Sequence, residues 1–275
     1  MKKRVLKTIA LVVAIALIVT VCWFANALCG NPISKWLAQR AASAYLEEQY
    51  PDTDYYIERL GFSFKSTDYY AQERSETSID TQFSLNIDMT GNVFYDTFED
   101  VKTGYITSRR LEQEYRELTK QIFESPAFPY KSDIQYGTLE IHSQEYIDDP
   151  LITDIPDYAL VTQDLILDKI YDIRELGRQA GRLIVYIDSD TISFELAAKI
   201  LLDIREEFDN ANIPFRAIDF SLQPPLPDEG PRTGFEIHFK NFPYEDIYEE
   251  GLEGRIKTAH DALEAYFAEL DAQNK

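Results

Sequence analysis

The sequence predicts an α+β protein with one N-terminal transmembrane helix, then a domain of a helix plus an antiparallel meander, and then a second α+β sandwich domain. Three observations lead to this fold class. An uncharged apolar run extends over 8–30, period-two alternation follows a helical segment in the first half of the chain, and helical and strand patterns alternate in the second half. The predicted boundaries are 1–30 for a basic tip and anchor, 31–127 for the N-terminal α+β domain, and 128–275 for the C-terminal α+β domain.

The apolar run at the N-terminus predicts a membrane-spanning helix. The basic residues Lys2, Lys3, Arg4 and Lys7 precede it, and no charged residue follows until after Gly30. About 20 apolar residues, each rising about 1.5 Å, span a hydrocarbon core of about 30 Å. Basic residues on the short N-terminal side favour a cytoplasmic N-terminus. We therefore expect a single-pass protein of the cell membrane whose domains after Gly30 are extracytoplasmic.

Other interpretations of this leader are a cleaved secretory peptide and a lipoprotein. The small-x-small pattern Ala25-Asn26-Ala27 is typical of a cleavage site, so cleavage after Ala27 is the main alternative. A lipoprotein is disfavoured because Leu28 precedes Cys29, where such sites require a small residue. The uninterrupted length of the run favours a retained signal-anchor.

Composition excludes several classes of function for the part of the chain after residue 30. These 245 residues carry 23 basic and 48 acidic residues, a net charge of −25. Such a surface repels nucleic acid and anionic lipid headgroups, whereas basic peptides and cations remain electrostatically compatible partners. Both cysteines, Cys22 and Cys29, lie in the apolar run. The ectodomain therefore has no disulfide, thiolate nucleophile or cysteine-ligated metal.

The first domain begins with a helix and continues with alternating strands. Asn31 is a favoured helix cap and Pro32 suits a first turn, so we expect a helix over 32–50 with Trp36 in the core. Strands are predicted at 55–64, 69–73, 79–89 and 93–98, with a hairpin turn over 90–92. The helix is the natural cover for one face of this sheet. A second helix over 103–124 ends at Ser125-Pro126, near the predicted domain boundary.

The second domain alternates helices and strands. The predicted elements are a strand at 134–142, a helix at 165–180 stopped by Gly181, a strand at 183–187 covered on both faces, a helix at 193–210, strands at 215–222 and 235–239, and a helix at 252–270. This order predicts a sandwich in which two parallel strands share one helical crossover.

The three histidines are the first candidates for catalysis or metal binding. His142 ends a strand, His238 alternates out of phase with its apolar neighbours, and His260 lies at the edge of a helical stripe with Glu264 one turn later. None of them has HxH, HExxH or comparable ligand spacing. We therefore expect surface or boundary histidines and assign no metal ligand.

Other catalytic patterns are also missing, apart from pairs of acidic residues. The sequence contains no GxSxG nucleophile turn and no Gly-rich phosphate loop. Acidic pairs occur at Asp52/Asp54, Asp148/Asp149 and Asp188/Asp190, and carboxylate pairs serve glycoside hydrolysis or Ca²⁺ binding. For Asp188-Ser189-Asp190 we favour a capping role at the N-terminus of the next helix.

Two further segments could contact a partner. Arg109, Arg110 and Arg116 form a basic patch, for which we favour ion pairing with the neighbouring Glu112, Glu114 and Glu117. A Pro-rich segment over 223–231 could present a recognition surface, although a plain connecting loop is favoured.

Several segments resemble one protein family. The anchor followed by Gly30-Asn31-Pro32, together with AASAYLEEQYPD (41–52), SIDTQFSL (78–85), GNVFYDTFED (91–100) and TSRRLEQEYREL (107–118), is similar to the YfjL-like family of membrane-anchored proteins of Gram-positive bacteria. The resemblance implies an N-terminal anchor and two extracytoplasmic domains. It transfers no catalytic residue to this chain.

These observations lead to an expected function. We expect a non-enzymatic, membrane-tethered ectodomain that binds an envelope protein or peptide or acts as a sensor, without a cofactor, catalytic residue or metal ligand assigned. The membrane is the expected partner of the N-terminal helix, and nucleic acid is excluded. The alternatives are an envelope hydrolase that uses carboxylate pairs, with or without Ca²⁺, and a divalent-cation sensor.

Overall fold

The computed structural model describes residues 2–130, 132, 134–227 and 230–273. Met1 and the side chains of Lys2, Lys3 and Arg4 lie outside the described residues, and with them most of the basic tip. The chain forms two compact units, Met1–Ile106 and Thr107–Lys275. Each unit combines helices with a sheet, which confirms the predicted α+β class.

The first unit contains an antiparallel meander. Its elements are α1 (Lys2–Cys29), α2 (Pro32–Gln49), β1 (Tyr55–Ser63), β2 (Asp68–Ser75), β3 (Gln82–Ile87), β4 (Val93–Asp96) and α3 (Phe98–Lys102). The strands lie in the order β1-β2-β3-β4 and every neighbouring pair is antiparallel. The predicted hairpin turn joins β3 to β4, where the Asp88 N–H donates to the Asn92 carbonyl at 3.0 Å.

Helix α1 is long and apolar enough to cross a membrane. None of its apolar stretch is buried within the structure. Side chains such as Leu17, Val21 and Trp23 are more than half exposed, so they are free to face lipid. A signal sequence passes the same test of length and composition.

The junction between α1 and α2 is tied to the sheet through Tyr69 on β2. The Asn31 side chain caps α2 by accepting the N–H groups of Ile33 and Ser34 at 3.0 and 2.9 Å. The hydroxyl of Tyr69, which is buried, lies 2.8 Å from the Ser34 hydroxyl and accepts the Asn31 N–H at 3.2 Å. Gly30 has a φ of +69°, and a Cβ at this position would come within 2.2 Å of the Tyr69 oxygen. Both the backbone angle and the close approach therefore require glycine.

Helix α2 covers one face of the first sheet. Its buried residues Ser34, Ala38, Ala42 and Leu46 recur every four positions, and the small alanines let the helix approach the strands closely. The prediction that Trp36 belongs to the core is wrong, because Trp36 is 58% exposed. Trp36 lies about half a helical turn away from the row of buried residues. That row consists mainly of small side chains and does not include the large indole ring.

Glu73 is an unpaired carboxyl in the core of the first unit. It lies on β2 opposite Phe83, is fully buried, and neither carboxyl oxygen accepts a hydrogen bond. Burial raises the pKa of Glu73 to about 8, and the charge of Asp96 adds to the rise. The carboxyl is therefore protonated in the folded state at neutral pH.

The second unit is built on a mixed sheet. Its elements are α4 (Tyr105–Phe123), β5 (Gln135–Leu139), β6 (Ile141–His142), α5 (Gln144–Ile147), β7 (Leu160–Val161), α6 (Ile173–Ala180), β8 (Gly181–Asp188), α7 (Phe194–Asn210), β9 (Ala217–Gln223), β10 (Ile237–Pro243) and α8 (Leu252–Gln273). The main sheet has the order β10-β9-β8-β5, and β6 pairs with β7 in a separate short ladder. Strands β8 and β9 are parallel and are joined through α7, which confirms the predicted crossover.

The two compact units divide between residues 106 and 107, whereas the sequence analysis placed the boundary between 127 and 128. The physical reason lies in the buried face of α4. Leu111 and Tyr115 pack with Leu139 and Leu176 of the second unit, and Phe123 joins its main core. Helix α4 therefore folds with the elements that follow it.

One face of the second sheet forms the main core under α7. Leu183, Val185 and Ile187 of β8 pack there with Ile204 and Phe208 of α7. The prediction that this strand is covered on both faces is wrong, because burial alternates along β8 and the other set of side chains is only half-buried. A period of two in burial is typical of a sheet with one covered face.

The helix predicted over 165–180 is shorter than expected. Only Ile173–Ala180 is helical, with Asp172 as its cap accepting the N–H of Arg174 at 3.0 Å. Asp168 has a φ of +61°, a left-handed conformation that interrupts a right-handed helix. The apolar residues before Asp172 are not part of an amphipathic helix, and Ile170 is 78% exposed.

Replacing Gly30 by alanine should destabilise the first unit by about 1–3 kcal/mol, because the new Cβ meets Tyr69 in a left-handed conformation. The free energy of unfolding of the full chain in detergent micelles measures this effect. Gly254→Ala is the matched control, since a Cβ there meets no atom within 4 Å inside α8. The control should be neutral or stabilising by up to about 1 kcal/mol. Equal effects of both variants would contradict the role assigned to Gly30.

Glu73→Gln should remove a pH dependence of stability. The pKa of Glu73 in the folded state is about 8, above the ordinary value of 4.5. Below pH 4.5 the carboxyl is neutral in the folded and unfolded states alike, so the fold keeps its full stability there. Stability is then lost progressively up to pH 8, at about 1.4 kcal/mol per pH unit. The difference in unfolding free energy between variant and wild type should therefore grow in favour of Glu73→Gln from pH 4.5 to 8. A difference that stays constant across this range would contradict the buried, unpaired carboxyl.

Candidate functional site

The uncovered face of the second sheet carries most of the polar side chains that the sheet contributes. Along each strand they alternate with the core residues, so their position follows directly from the pleat. The residues concerned are Arg182 and Tyr186 on β8, Asp219 and Ser221 on β9, and His238 and Lys240 on β10. Asp219 and Ser221 are buried although they lie opposite the apolar core.

Arg182 lies between two buried carboxylates. Its Nε atom is 2.8 Å from Oε1 of Glu140, and its Nη1 atom is 3.6 Å from Oδ2 of Asp219. The second oxygen of Glu140 lies 2.9 Å from Nε2 of His142. Burial raises the pKa of Asp219, while the Arg182 guanidinium opposes that rise. The cluster is a partly buried ion-pair network, in which each carboxylate depends on the same cation.

A distortion in β10 completes this network. The register of the β9–β10 pair shifts between Phe239 and Phe242, and Asn241 adopts a φ of +52° at this bulge. The Asn241 N–H donates to Oδ1 of Asp219 at 2.8 Å, and its side-chain oxygen accepts the Tyr158 hydroxyl at 3.0 Å. Burial raises the pKa of Tyr158, so this hydroxyl remains a donor throughout the physiological range. Bulges commonly re-aim side chains next to functional sites.

A groove of about 250 Å³ lies on this face between β10 and the C-terminal part of α8. Tyr186, Asp219 and Glu236 contribute hydroxyl and carboxylate groups, and Leu263 and Phe267 of α8 form an apolar wall. Lys240 also lines the groove, so its walls combine aromatic surface with both acidic and basic groups. Its volume suits one or two side chains of a peptide better than a drug-sized molecule.

Two histidines and a glutamate meet at one corner of the groove. Nε2 of His238 is 2.9 Å from Oε1 of Glu264, and Nδ1 of His238 is 3.2 Å from Oε1 of Glu236. The His238 and His260 rings have centroids 5.3 Å apart at an interplanar angle of 77°. One potential ligand atom each from His238, His260 and Glu264 lies within 4.8 Å of the others.

Sequence reasoning placed the histidines at the surface or at a boundary, and their environments differ. His142 and His238 are partly exposed, whereas His260 is buried at 7% exposure. His260 and Glu264 are neighbours on a helix by their spacing, but no pattern in the sequence places His238 beside them. That proximity follows from the packing of α8 against β10, which brings together two histidines 22 positions apart in the sequence. Ligand spacing within one segment cannot detect it.

The acidic pairs proposed from the sequence serve local structure. Asp54 accepts hydrogen bonds from Ser75 and Thr77 at 2.7 to 2.9 Å, and Asp149 accepts the Leu151 N–H at 2.9 Å. Asp188 does not cap the next helix, so that prediction is wrong. The cap is Ser193, whose hydroxyl accepts the Leu196 N–H at 3.1 Å.

Asp188 instead joins the Pro-rich loop to the sheet. Its Oδ1 accepts hydrogen bonds from Arg232 at 2.7 Å and from Gln223 at 3.0 Å. Asp228 and Glu229 of this loop lie outside the described residues. Arg232, which directly follows the Pro-rich segment, therefore ties its C-terminal end to the sheet through an ion pair.

The ion pairing predicted for the arginine patch on α4 is found for Arg109 and Arg110. Nη1 of Arg109 lies 3.9 Å from Glu112, and Nη1 of Arg110 lies 2.8 Å from Glu114. Arg116 stacks over the ring of Tyr136 at 4.4 Å instead of pairing with an acid on its own helix.

Comparison with known proteins identifies two family domains in the chain. The model of the YfjL-like N-terminal domain matches residues 5–97, and the model of the YfjL-like C-terminal domain matches residues 114–257. No curated protein and no solved structure matches the chain significantly. The C-terminal match contains His238, but it ends before His260 and Glu264.

Arg182→Met should destabilise the second unit by about 3–5 kcal/mol, because it removes the cation that lies between the buried carboxylates of Glu140 and Asp219. Thermal and denaturant unfolding of the full chain measure the loss, which should be smaller at pH 4 than at pH 8, since burial raises the pKa of Asp219 and its protonation removes one of the two charges. Arg178→Met is the matched control, because Arg178 forms an exposed pair with Glu175 worth about 1 kcal/mol or less. A loss no larger than that of the control would contradict the network.

Proposed function

Because the chain belongs to the YfjL-like family and opens with an apolar helix, we propose that it is a membrane-anchored, extracytoplasmic binding protein without enzymatic activity. In this proposal α1 is retained in the cell membrane of a Gram-positive bacterium with its N-terminus in the cytoplasm. The C-terminal domain binds a segment of an envelope protein or peptide in the groove beside α8. The groove, whose walls bring two carboxyl groups together with aromatic surface on the sheet face opposite the main core, is the observation that carries the proposal.

The orientation follows from charge. Basic residues flank the N-terminal side of α1, and the region after residue 30 carries a net charge of −25. Basic flanks favour the cytoplasmic side, and an acidic ectodomain stands away from anionic headgroups. The same charge attracts a basic ligand over distances of about a Debye length, roughly 8 Å at physiological ionic strength.

The chemistry of the groove favours a basic peptide segment. Asp219 and Glu236 offer carboxylates. Arg182 and the groove residue Lys240 partly compensate the charge of Asp219, so Glu236 is the main acidic contact for a basic side chain. Tyr186 and Phe267 present aromatic rings that can contact a lysine or arginine side chain through cation–π interactions. A peptide that inserts one basic side chain would thus find both an ionic and an aromatic partner.

The alternative of an envelope hydrolase has less support. It requires two carboxylates from distant segments that converge in one cleft. Among the described residues that we considered, Asp54, Asp149 and Asp188 stabilise turns and loops. Glu140 and Asp219 do converge, but on Arg182, so they form an ion-pair network instead of a free acid–base pair.

Site-specific photo-crosslinking in intact cells tests the proposal. A photoreactive phenylalanine at Phe267, which lines the groove, should form a discrete adduct with one envelope protein or peptide. The same residue at Phe94 on β4 is the matched control, since Phe94 is 58% exposed and Phe267 is 42% exposed. Glu236→Lys should weaken the adduct at Phe267 by about tenfold or more, because reversal of one groove charge opposes a basic ligand.

Adducts of equal intensity at both positions, or none at Phe267 at native abundance, would contradict the binding groove. Fractionation addresses the anchor independently of the ligand. Full-length chain in the membrane pellet is expected, whereas full-length chain dissolved in the cytoplasm would contradict the anchor.

A further inference from the structure

We propose that His238, His260 and Glu264 form a binding site for a transition-metal ion of the Zn²⁺ class. Two of these side chains come from α8 and one from β10, so the site exists only in the folded second unit. The inference goes beyond the proposed binding function and does not depend on it, because metal binding is measured with the ion alone.

The three side chains are close enough to share one ion. One ligand atom of each lies within 4.8 Å of the others, and Nε2 of His238 is 2.9 Å from Oε1 of Glu264. Two ligands of a tetrahedral zinc ion are separated by roughly 3.3 Å when the metal–ligand bonds are about 2.0 Å. The closest pair needs to separate by only a few tenths of an ångström, whereas a pair as far apart as 4.8 Å would have to approach by about 1.5 Å. The Glu264 side chain is 55% exposed and has room to make such a movement.

His238 offers a ring nitrogen that no hydrogen bond occupies. Its Nε2 atom is buried and, despite the short distance to Glu264, has no hydrogen-bond partner. An ion at this position would supply the missing partner to the nitrogen and to the carboxylate oxygen together.

Each histidine also has a contact that can orient its ring. Nδ1 of His238 lies 3.2 Å from Oε1 of Glu236. Nδ1 of His260 lies 3.2 Å from the backbone carbonyl oxygen of His238 and 3.4 Å from its backbone nitrogen, so it donates to the carbonyl in one tautomer and accepts the N–H in the other. In the tautomers that donate from Nδ1, the lone pair of each imidazole is on Nε2. Ligating histidines usually donate their second N–H to a carboxylate or a backbone carbonyl in this way.

Aromatic side chains surround the cluster. The rings of Phe194 and Phe235 have centroids 5.9 and 5.8 Å from that of His260, and Phe267 lies 6.0 Å from His238. These contacts restrict ring rotation and keep bulk water away from one side of the site. An oriented pair of imidazoles loses little entropy when it binds an ion.

The donor set selects the class of metal. Ca²⁺ and Mg²⁺ require oxygen ligands, whereas two imidazoles and a carboxylate suit Zn²⁺ and its neighbours in the first transition series. Three protein ligands leave a fourth position for water or for a donor atom of a bound molecule. Because His238 also lines the groove, an ion at this site would form part of the groove wall.

Titration of the full-length chain with Zn²⁺ tests the site. The protein is untagged, in detergent micelles, treated with a chelator, and carries Cys22→Ser and Cys29→Ser so that the thiols of α1 do not bind metal. Calorimetry should give one Zn²⁺ per chain, and Co²⁺ should give the visible absorption of a four- or five-coordinate ion. Glu264→Gln and His238→Gln should each weaken Zn²⁺ binding by at least about tenfold.

Glu269→Gln is the matched control, because Glu269 is an exposed glutamate on the same helix, outside the cluster. It should bind Zn²⁺ as tightly as the parent, and circular dichroism should show that all variants fold. Equal affinities in Glu264→Gln, His238→Gln and the control would overturn the proposal, as would Ca²⁺ binding at this site in preference to Zn²⁺. Zinc binding in the absence of any adduct at Phe267 would support the metal site while contradicting the peptide groove.

Discussion

The main constraint on the second unit is that β10 lies at the edge of its sheet, with backbone groups that have no neighbouring strand to pair with. An edge strand has unpaired N–H and C=O groups along one side, and proteins usually cover or interrupt such an edge. Here a bulge near Asn241 interrupts the ladder, and α8 lies alongside, with Nδ1 of His260 close to the backbone of His238. The same arrangement lets Ile256 enter the main core while Phe267 borders the groove. Covering the edge therefore also builds the wall of the groove and the histidine corner.

Buried carboxyl groups of this chain lie in two different environments, one with a neighbouring cation and one without. Glu140 and Asp219 are kept near a cation, since Arg182 lies between them. Glu73 lacks such a cation and accepts no hydrogen bond, so burial raises its pKa and the neutral form is the stable one. A paired carboxylate resists pH changes near neutrality, whereas an unpaired one makes the first unit sensitive to them. The two units should thus respond differently to alkaline conditions.

The net negative charge of the chain determines which classes of ligand are electrostatically compatible with it. The region after residue 30 carries a strong excess of acidic residues. Asp219 and Glu236 line the groove together with Lys240 and aromatic side chains, and Glu264 lies next to it, beside His238. Basic peptides and divalent cations are both compatible with this field, and they would use different atoms. A peptide contacts the walls of the groove, whereas an ion requires the convergence of two imidazole nitrogens and one carboxylate oxygen.

The sequence by itself determined the apolar leader, the meander of the first unit, the crossover between β8 and β9, and the family of the chain, because these follow from local composition, periodicity and similarity. Period-two alternation also predicted that His238 lies on the face opposite Ile237 and Phe239. Tertiary structure decided that small side chains of α2 are buried while Trp36 is exposed to solvent, and that α4 packs in the second unit. It also decided that His238 meets His260 and Glu264, since helix–strand packing joins segments whose spacing in the sequence carries no ligand pattern.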